Sequence, residues 1–223
     1  MDIAVSYHES LTKLQALDWP QDGPFDRLEW FGLLGPVLAA MAERGDERVL
    51  LPLRREHEHL ASLTYWFSFS WRPLGRSQAL LTALARDLRR QAGRIVLAPV
   101  PGEDGSADAL EQAFREAGWL VFRSTCDENH VLPVEGRSFA EYWAARPGKM
   151  RTTLKRKARK VEAKILTRFD EAAWADYQAV YAQSWKPREE RADILEAFAR
   201  AEGAAGRIRL GAASAAGACR GVG

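Results

Sequence analysis

Apolar residues in the first 135 positions form short runs, some alternating with polar residues and some continuous, and both patterns are typical of strands. The predicted strands are residues 2–7, 37–42, 49–53, 60–71, 95–98, 120–123 and 130–134. Short charged segments, 43–46 and 54–59, separate the second, third and fourth of these strands. Such short connections favour an antiparallel meander.

Apolar residues at spacings of three and four predict the helices that lie between these strands. In the helix at 77–90, the leucines at positions 80, 81, 84 and 88 share one face, and Gly93 lies just beyond its end. The predicted helices of this half are residues 11–17, 25–34, 77–90 and 107–117. The order is therefore strand, two helices, three strands, helix, strand, helix and two strands.

The opening of this order is repeated after residue 135. Ser138 and Glu141 have the spacing of a capping box, which predicts a helix that ends near Ala145. The elements predicted next are a basic helix at 148–163, a strand at 164–169, a helix at 171–185, a helix between Pro187 and Gly203, and a strand at 207–212. The small residues at 213–223 predict no element. We therefore predict an α/β fold (α+β, with a mixed sheet) that has one complete domain, residues 1–135, and an incomplete second copy, residues 136–223.

The composition is that of a soluble globular protein. Of 223 residues, 47% are hydrophobic and 28% are charged, which excludes a disordered or fibrous chain. The two cysteines, Cys126 and Cys219, are too far apart to indicate a disulfide framework. The first residues lack the pattern of a signal peptide, and no apolar run is long enough to span a membrane. We therefore expect a cytoplasmic protein with no membrane insertion.

The formal net charge of +2 conceals a strong local imbalance. Residues 146–168 contain ten basic residues and one acidic residue, a net charge of +9, so the other 200 residues carry −7. Within the basic helix, one narrow apolar stripe is expected to dock on the protein: Met150, Leu154, Ala158 and Val161. Cations lie beside it at spacings of four residues, where like charges repel. Two interpretations stay open, an anionic ligand and a solvated helix balanced by the acidic remainder.

Three segments of the second half carry a family resemblance. They are GKMRTTLKRKARKV at 148–161, VYAQSWK at 180–186 and GRIRLG at 206–211. Together with the order of elements, they resemble the FemAB-like branch of the GNAT superfamily, N-acyltransferases with two GNAT-like halves that include CelD-type acetyltransferases. The resemblance implies a GNAT-like fold. It also implies further strands, a pyrophosphate-binding turn and its helix after residue 212, so by this comparison the chain is truncated at its C-terminal end.

The resemblance implies transfer of an acyl group from acetyl-CoA or another acyl-CoA to an amine. The acceptor would be a small molecule or a component of cell-envelope or polysaccharide metabolism, and an aminoacyl group from tRNA is the alternative donor. This chemistry needs little covalent help from the protein, because the amine attacks the thioester directly. No Asp or Glu is singled out as the general base, and a water can serve, so the catalytic residues are left unknown.

The pyrophosphate of acyl-CoA binds at a helix N-terminus in the family, in a turn with Arg or Gln, two residues, Gly, one residue, and Gly or Ala. Residues 72–77 match this pattern in part and give four candidate cofactor-binding residues: Arg72, Gly75, Arg76 and Ser77. Ser77 departs from the pattern at its last position, and Pro73 removes one backbone amide. The alternative is an ordinary turn between strand and helix that Ser77 caps.

The candidate residues for an anionic substrate lie in the second half, and the site is expected between the halves. These candidates are Lys149, Arg151, Lys155, Arg156, Arg159, Trp185 and Lys186. Two other hypotheses stay open. One is a polyanion-binding or nucleic-acid-binding module built on residues 146–168, although no aromatic residue lies between Met150 and Thr167 to stack on bases. The other is an inactive, truncated fragment.

The remaining candidates are two aromatic sets and two weak metal sets. Alternation of Tyr65, Phe67, Phe69 and Trp71 on one strand predicts a core face or, as an alternative, a groove for an acyl chain. Trp174, Tyr177, Tyr181 and Trp185 share a helical face that predicts core, with Trp185 and Lys186 at the edge of a substrate cleft as the alternative. The motif His57-Glu58-His59, and Cys126 with His130, each lack further ligands at usual spacing, so we expect no metal.

Overall fold

A computed structural model describes residues 2–21, 23–128, 130, 132–134, 136–186, 189–215 and 218–222. The chain divides into two compact units, Met1–Asp127 and Glu128–Gly223. Each unit has its own sheet, of five strands in the first and three in the second. Over the described residues the chain has seven α-helices, so the predicted mixed α/β class is confirmed.

The first unit is built on a sheet with the order β1–β2–β3–β4–β5. Its strands are β1 Ala4–His8, β2 Leu38–Arg44, β3 Glu47–Glu56, β4 His59–Ser62 and β5 Ile95–Val96. The first three pairs are antiparallel, as the meander prediction requires, and β4 pairs with β5 in parallel. The helices of this unit are α1 Leu28–Leu33, α2 Gln78–Leu88 and α3 Ser106–Glu116.

Both faces of the central strand β3 are covered. Residues 49–53 of this strand are buried without interruption, which is the pattern of a strand enclosed on both sides. The predicted leucine face of α2 is buried as well, from Leu80 to Leu88. Each fully buried leucine contributes about 1.5–3 kcal/mol, so this face holds α2 against the sheet.

The predicted strand at 60–71 ends at Ser62, and Pro52 on the neighbouring strand explains why. The Leu63 amide donates to the Pro52 carbonyl at 2.9 Å, but Pro52 has no N–H to return the bond, so the ladder stops. The chain then turns, and the Ser68 amide donates to the Tyr65 carbonyl at 2.7 Å. Trp71 is fully buried while Phe69 is 84% exposed. The prediction of four aromatic side chains on one strand face, and with it the acyl groove along that strand, is wrong.

The predicted strand pair at 120–123 and 130–134 is also wrong. Those of its residues that the structure describes lie outside strands, and Val131 is not among the described residues. Leu120 and Phe122 are exposed to solvent. The sheet ends at β5, which contributes only two residues to its ladder. An edge that short offers a further strand little to pair with.

The second unit contains four helices and an antiparallel sheet of order β6–β7–β8 within the described residues. Its elements are α4 Phe139–Ala144, α5 Gly148–Ala158, β6 Glu162–Leu166, α6 Glu171–Ala182, α7 Ala192–Ala204, β7 Leu210–Ala215 and β8 Ala218–Val222. The expectation of no element after residue 212 is wrong, because β7 extends into this tail and pairs with both β6 and β8. The predicted helix break at Pro187 lies outside the described residues.

The core of the second unit lies around α6, α7 and β7. Trp174, Ile194 and Leu210 are buried there, and ring contacts connect Phe169, Trp174, Tyr177 and Tyr181 in sequence. By contrast, none of the described residues of α4 or α5 is buried. The prediction that the apolar stripe of the basic helix docks on the protein is therefore wrong. In the described part of the chain, no helix combines the length and apolarity that crossing a membrane requires.

Candidate functional site

The turn at 72–77 is joined to the central strand by its backbone. Leu74 and Leu50 exchange two hydrogen bonds, from the Leu50 amide at 2.8 Å and from the Leu74 amide at 2.9 Å. This pairing brings Gly75 against β3 with a φ of +96°, and a Cβ at this position would lie 2.1 Å from the Arg48 carbonyl oxygen. Gly75 is therefore required by a close approach between two backbones.

Arg72 is held between two carboxylates. Its Nε lies 3.3 Å from Asp26 Oδ1, and its Nη1 lies 2.7 Å from Asp104 Oδ2. Asp26 is only 2% exposed, so Arg72 compensates a charge that has lost almost all contact with water. A phosphate at Arg72 would have to compete with both carboxylates.

A small cavity lies beside this ion network. It is lined by Pro20, Asp26, Arg72, Pro73, Leu74, Gly75, Arg76, Leu81, Asp104, Gly105, Ser106 and Ala109. The segment after β4 forms one wall, and the segment after β5, which leads into α3, forms another. Its volume of about 110 Å³ is suited to a phosphate-sized group.

Two helices begin at or near this cavity, and both N-termini already face acidic side chains. At α3, the Ser106 amide donates to Asp104 Oδ1 at 2.9 Å. At α2, Ser77 occupies the capping position, but its hydroxyl donates to Glu47 Oε2 at 3.2 Å. The positive ends of both helix dipoles are therefore partly compensated by carboxylates of the protein. Arg76 is the exposed cation of the turn and lines the cavity.

Ser62 connects the two parallel strands where their ladder ends. Its hydroxyl donates to the Ala98 carbonyl at 2.6 Å and lies 3.1 Å from the Ala98 amide, which donates to it. Sequence reasoning missed this residue. The available signal was a single hydroxyl in the otherwise apolar run at 60–63, since a buried polar group needs a partner.

The basic helix α5 presents its cations to solvent. Among the described residues, no carboxylate forms an ion pair with any cation of residues 149–160. The exposed cations are Lys149, Arg151, Lys155, Arg156, Lys157, Arg159 and Lys160. Both interpretations stay open, because exposed cations without ion pairs are expected of a solvated helix and of an anion-binding helix.

One face of α5 forms an open groove together with α4. We call it the cationic groove, and it is lined by Trp143, Gly148, Arg151, Thr152, Leu154, Lys155, Lys157, Ala158 and Val161. Of the predicted anion-binding residues, Arg151 and Lys155 line the groove. Lys149 and Arg156 lie elsewhere on α5, and Arg159 directly follows that helix. Trp185 is 91% exposed in the turn after α6, and neither it nor Lys186 lines the groove.

The sequence predicted no metal at His57 and His59 or at Cys126 and His130. Within the residues that the structure describes, no group of three or more His, Cys, Asp and Glu side chains is arranged to hold a metal ion. His59 instead pairs with Glu56, at 3.1 Å between Nε2 and Oε2.

Comparison with known proteins identifies no relative: no protein-family model, no curated protein and no solved structure matches this chain.

Proposed function

We propose that this chain is a GNAT-type N-acyltransferase of the FemAB-like kind, which moves an acyl group from acyl-CoA to the amine of a small-molecule or cell-envelope acceptor. The observation that carries the proposal is the parallel pair β4–β5 and the cavity beyond its carboxyl ends. The turn at 72–77 and the first turn of α3 line this cavity. The family resemblance rests in part on the predicted order of elements in this half, and that order is present from β1 to α3.

A crevice lies at the carboxyl ends of two parallel strands where the segments that leave the strands diverge. Here the β4–β5 ladder stops after Ala61 and Val96, and the two segments then build opposite walls of the cavity. A ligand that enters along these ends would meet backbone amides and helix N-termini. Both are suited to a diphosphate.

Arg76 is the residue we assign to the phosphates. It is exposed and lines the cavity. Arg72 lines the cavity as well and pairs with Asp26 and Asp104. In this proposal Arg72 acts by holding the turn against the segment after β5. Gly75 acts by allowing that turn to approach β3.

The reaction needs no redox partner and no covalent enzyme intermediate. The amine nitrogen attacks the thioester carbonyl carbon, the carbon–nitrogen bond forms and the carbon–sulfur bond breaks. The thiolate of CoA takes up a proton, and the amine loses one to water. The protein contributes by orienting the two substrates and by presenting backbone N–H groups to the carbonyl oxygen as negative charge develops there.

Isothermal titration of the protein with acetyl-CoA and with free CoA tests the proposal. We expect saturable binding of both, because the phosphates are common to them. If neither ligand binds, the protein does not use acyl-CoA and the proposal is wrong.

Two variants test the assigned position. Arg76→Ala removes the exposed cation and is expected to weaken CoA binding about tenfold, since a hydrogen bond to a charged group contributes about 1.5–3 kcal/mol. Arg115→Ala is the matched control, because it removes an exposed arginine from the last turn of α3, at the end away from the cavity. Equal effects of the two variants would contradict a phosphate site at Arg76.

A further inference from the structure

The cationic groove combines two properties that proteins seldom leave exposed together. Its apolar lining includes Trp143, Leu154, Ala158 and Val161, and its cations are Arg151, Lys155 and Lys157. Leu154 and Val161 are each 43% exposed, and Met150 on the same stripe is 41% exposed. Phe139, one helical turn before Trp143 and stacked on it at 6.0 Å, is 73% exposed.

The charged side chains that line this groove all have one sign. Residues 149–160 contain seven cations and no acid. None of them forms an ion pair with a carboxylate of the described chain. The repulsion between them is therefore relieved only by water and salt until an anionic partner arrives.

A partner that complements this groove carries negative charge and apolar surface close together. A groove with an apolar floor and a cationic rim complements a phosphate headgroup above an acyl chain. A cluster of four to eight lysines and arginines on an amphipathic helix is the usual recognition element for acidic lipid headgroups, and aromatic side chains prefer the same interfacial depth. The helix α5 has 11 residues and is about 16 Å long, so it lies along such a surface and does not cross it.

Nucleic acid fits these observations less well. Phosphates of a nucleic acid require cations but no apolar stripe, and bases require stacking partners or hydrogen-bonding side chains. Trp143 is the one aromatic residue among those that line the groove, and Thr152 is the one uncharged polar side chain among them. An apolar floor would stay in contact with water in such a complex.

We propose that the cationic groove, together with Phe139 and Met150, is a peripheral binding surface for an anionic phospholipid membrane. Lysine and arginine side chains bind the headgroups, and the apolar stripe of the basic helix enters the boundary between headgroups and acyl chains. This surface belongs to the second unit, and the proposal does not rest on acyl transfer. Titration with CoA and binding to vesicles are separate measurements, so either proposal can fail alone.

Sedimentation of the whole chain with vesicles tests this inference. We expect binding to vesicles that contain phosphatidylcholine and phosphatidylglycerol, loss of this binding as salt is raised, and little binding to phosphatidylcholine alone. Equal binding to both vesicle types, or none to either, would overturn the proposal.

Variants test the cationic part and the apolar part of this surface separately. Arg151→Gln with Lys155→Gln is expected to weaken binding about twenty-fivefold, since each cation near an acidic surface contributes roughly fivefold. Leu154→Ser is expected to weaken it about tenfold without changing its salt dependence. The matched control is Lys13→Gln with Arg86→Gln, which removes two exposed cations of the first unit, and this control is expected to bind like the parent.

Competition with transfer RNA tests whether nucleic acid, and not a membrane, occupies the surface. If transfer RNA binds the protein more tightly than the acidic vesicles do, and Leu154→Ser leaves that binding unchanged, the surface is a nucleic-acid surface and the proposal is wrong. All substituted side chains are exposed or half-exposed, and circular dichroism of each variant confirms that the fold is retained.

Discussion

At the scale of single residues, the turn at 72–77 shows how a sequence pattern and its structural use can differ. Arginine and glycine at the spacing of a phosphate-binding turn led to Arg72 and Gly75 as ligands. In the structure Arg72 is paired with Asp26 and Asp104, and Gly75 is in contact with the Arg48 carbonyl. Both residues hold the turn in place, and Arg76 is the exposed cation of the turn.

Gly75→Ala is expected to destabilise the protein by about 2–4 kcal/mol. The new Cβ would lie 2.1 Å from a backbone oxygen, in addition to the strain of a φ of +96°. Gly105→Ala is the matched control, because its φ of +80° is also positive but no atom lies within 4 Å of the added Cβ. That variant should cost only about 1 kcal/mol. Urea unfolding measures both, and equal losses would show that the close approach does not matter.

A second residue-scale prediction concerns Tyr7. Its hydroxyl donates to Asp87 Oδ2 at 2.6 Å, and burial raises the pKa of this phenol above its ordinary value of 10.0, although Arg90 and Arg55 oppose the shift. Because the unfolded state ionises first, the stability contributed by Tyr7 is complete below pH 10 and is lost as pH rises through the folded pKa.

The variant Tyr7→Phe tests this contribution through the free energy of unfolding measured between pH 7 and 11. At pH 7 the loss of the hydrogen bond is expected to cost about 1 kcal/mol. The difference between parent and variant should shrink above pH 10. Tyr142→Phe, in the second unit, controls for general alkaline effects. A difference that stays constant over this range would mean that burial does not alter the ionisation of Tyr7.

At the scale of elements, local capping chemistry was predictable and the ends of strands were not. Ser138 and Glu141 form the predicted capping box, with the Glu141 amide donating to Ser138 Oγ at 3.2 Å and the Ser138 amide donating to Glu141 Oε2 at 2.7 Å. These contacts lie within one turn of chain. The end of β4, by contrast, depends on Pro52 of the neighbouring strand.

Two serines at helix starts test whether a side-chain cap stabilises the helix. Ser138→Ala removes the side-chain cap of α4 and is expected to weaken that helix by about 1 kcal/mol. Ser77→Ala, at the start of α2, removes a hydroxyl that bonds Glu47 rather than the helix, so it should cost less than 0.5 kcal/mol. Hydrogen exchange of the first-turn amides measures both. A larger effect at Ser77 would contradict the assignment of the caps.

At the scale of the whole molecule, the chain consists of two compact units that meet in sequence between Asp127 and Glu128. The described residues from Trp119 to His130 lie outside helices and strands. Exposed chain without secondary structure is the preferred substrate of proteases.

Limited digestion of the whole chain with chymotrypsin is expected to cut first after exposed aromatic residues outside helices and strands. These are Trp66, Phe69, Phe122 and Trp185. Phe31 and Phe114 are the internal controls, because both are buried in helices of the first unit. Mass spectrometry of the early fragments identifies the cuts. Early cleavage after Phe31 or Phe114 would show that the first unit is not compact.

The sequence by itself determined features that depend on neighbours along the chain. These are the leucine face of α2, the meander of β2 and β3, the cap of α4 and the positive charge of α5. Each follows from spacing, and spacing acts over one or two turns of helix or one strand.

The tertiary structure decided what depends on residues that are distant in sequence. It paired Arg72 with Asp26, ended β4 opposite Pro52, placed β7 between β6 and β8, and left the stripe of α5 exposed. The periodicity of α5 predicts that an apolar face exists, but only the position of the other elements decides whether that face is covered. Here it is uncovered within the described chain, and the candidate binding surface follows from that fact.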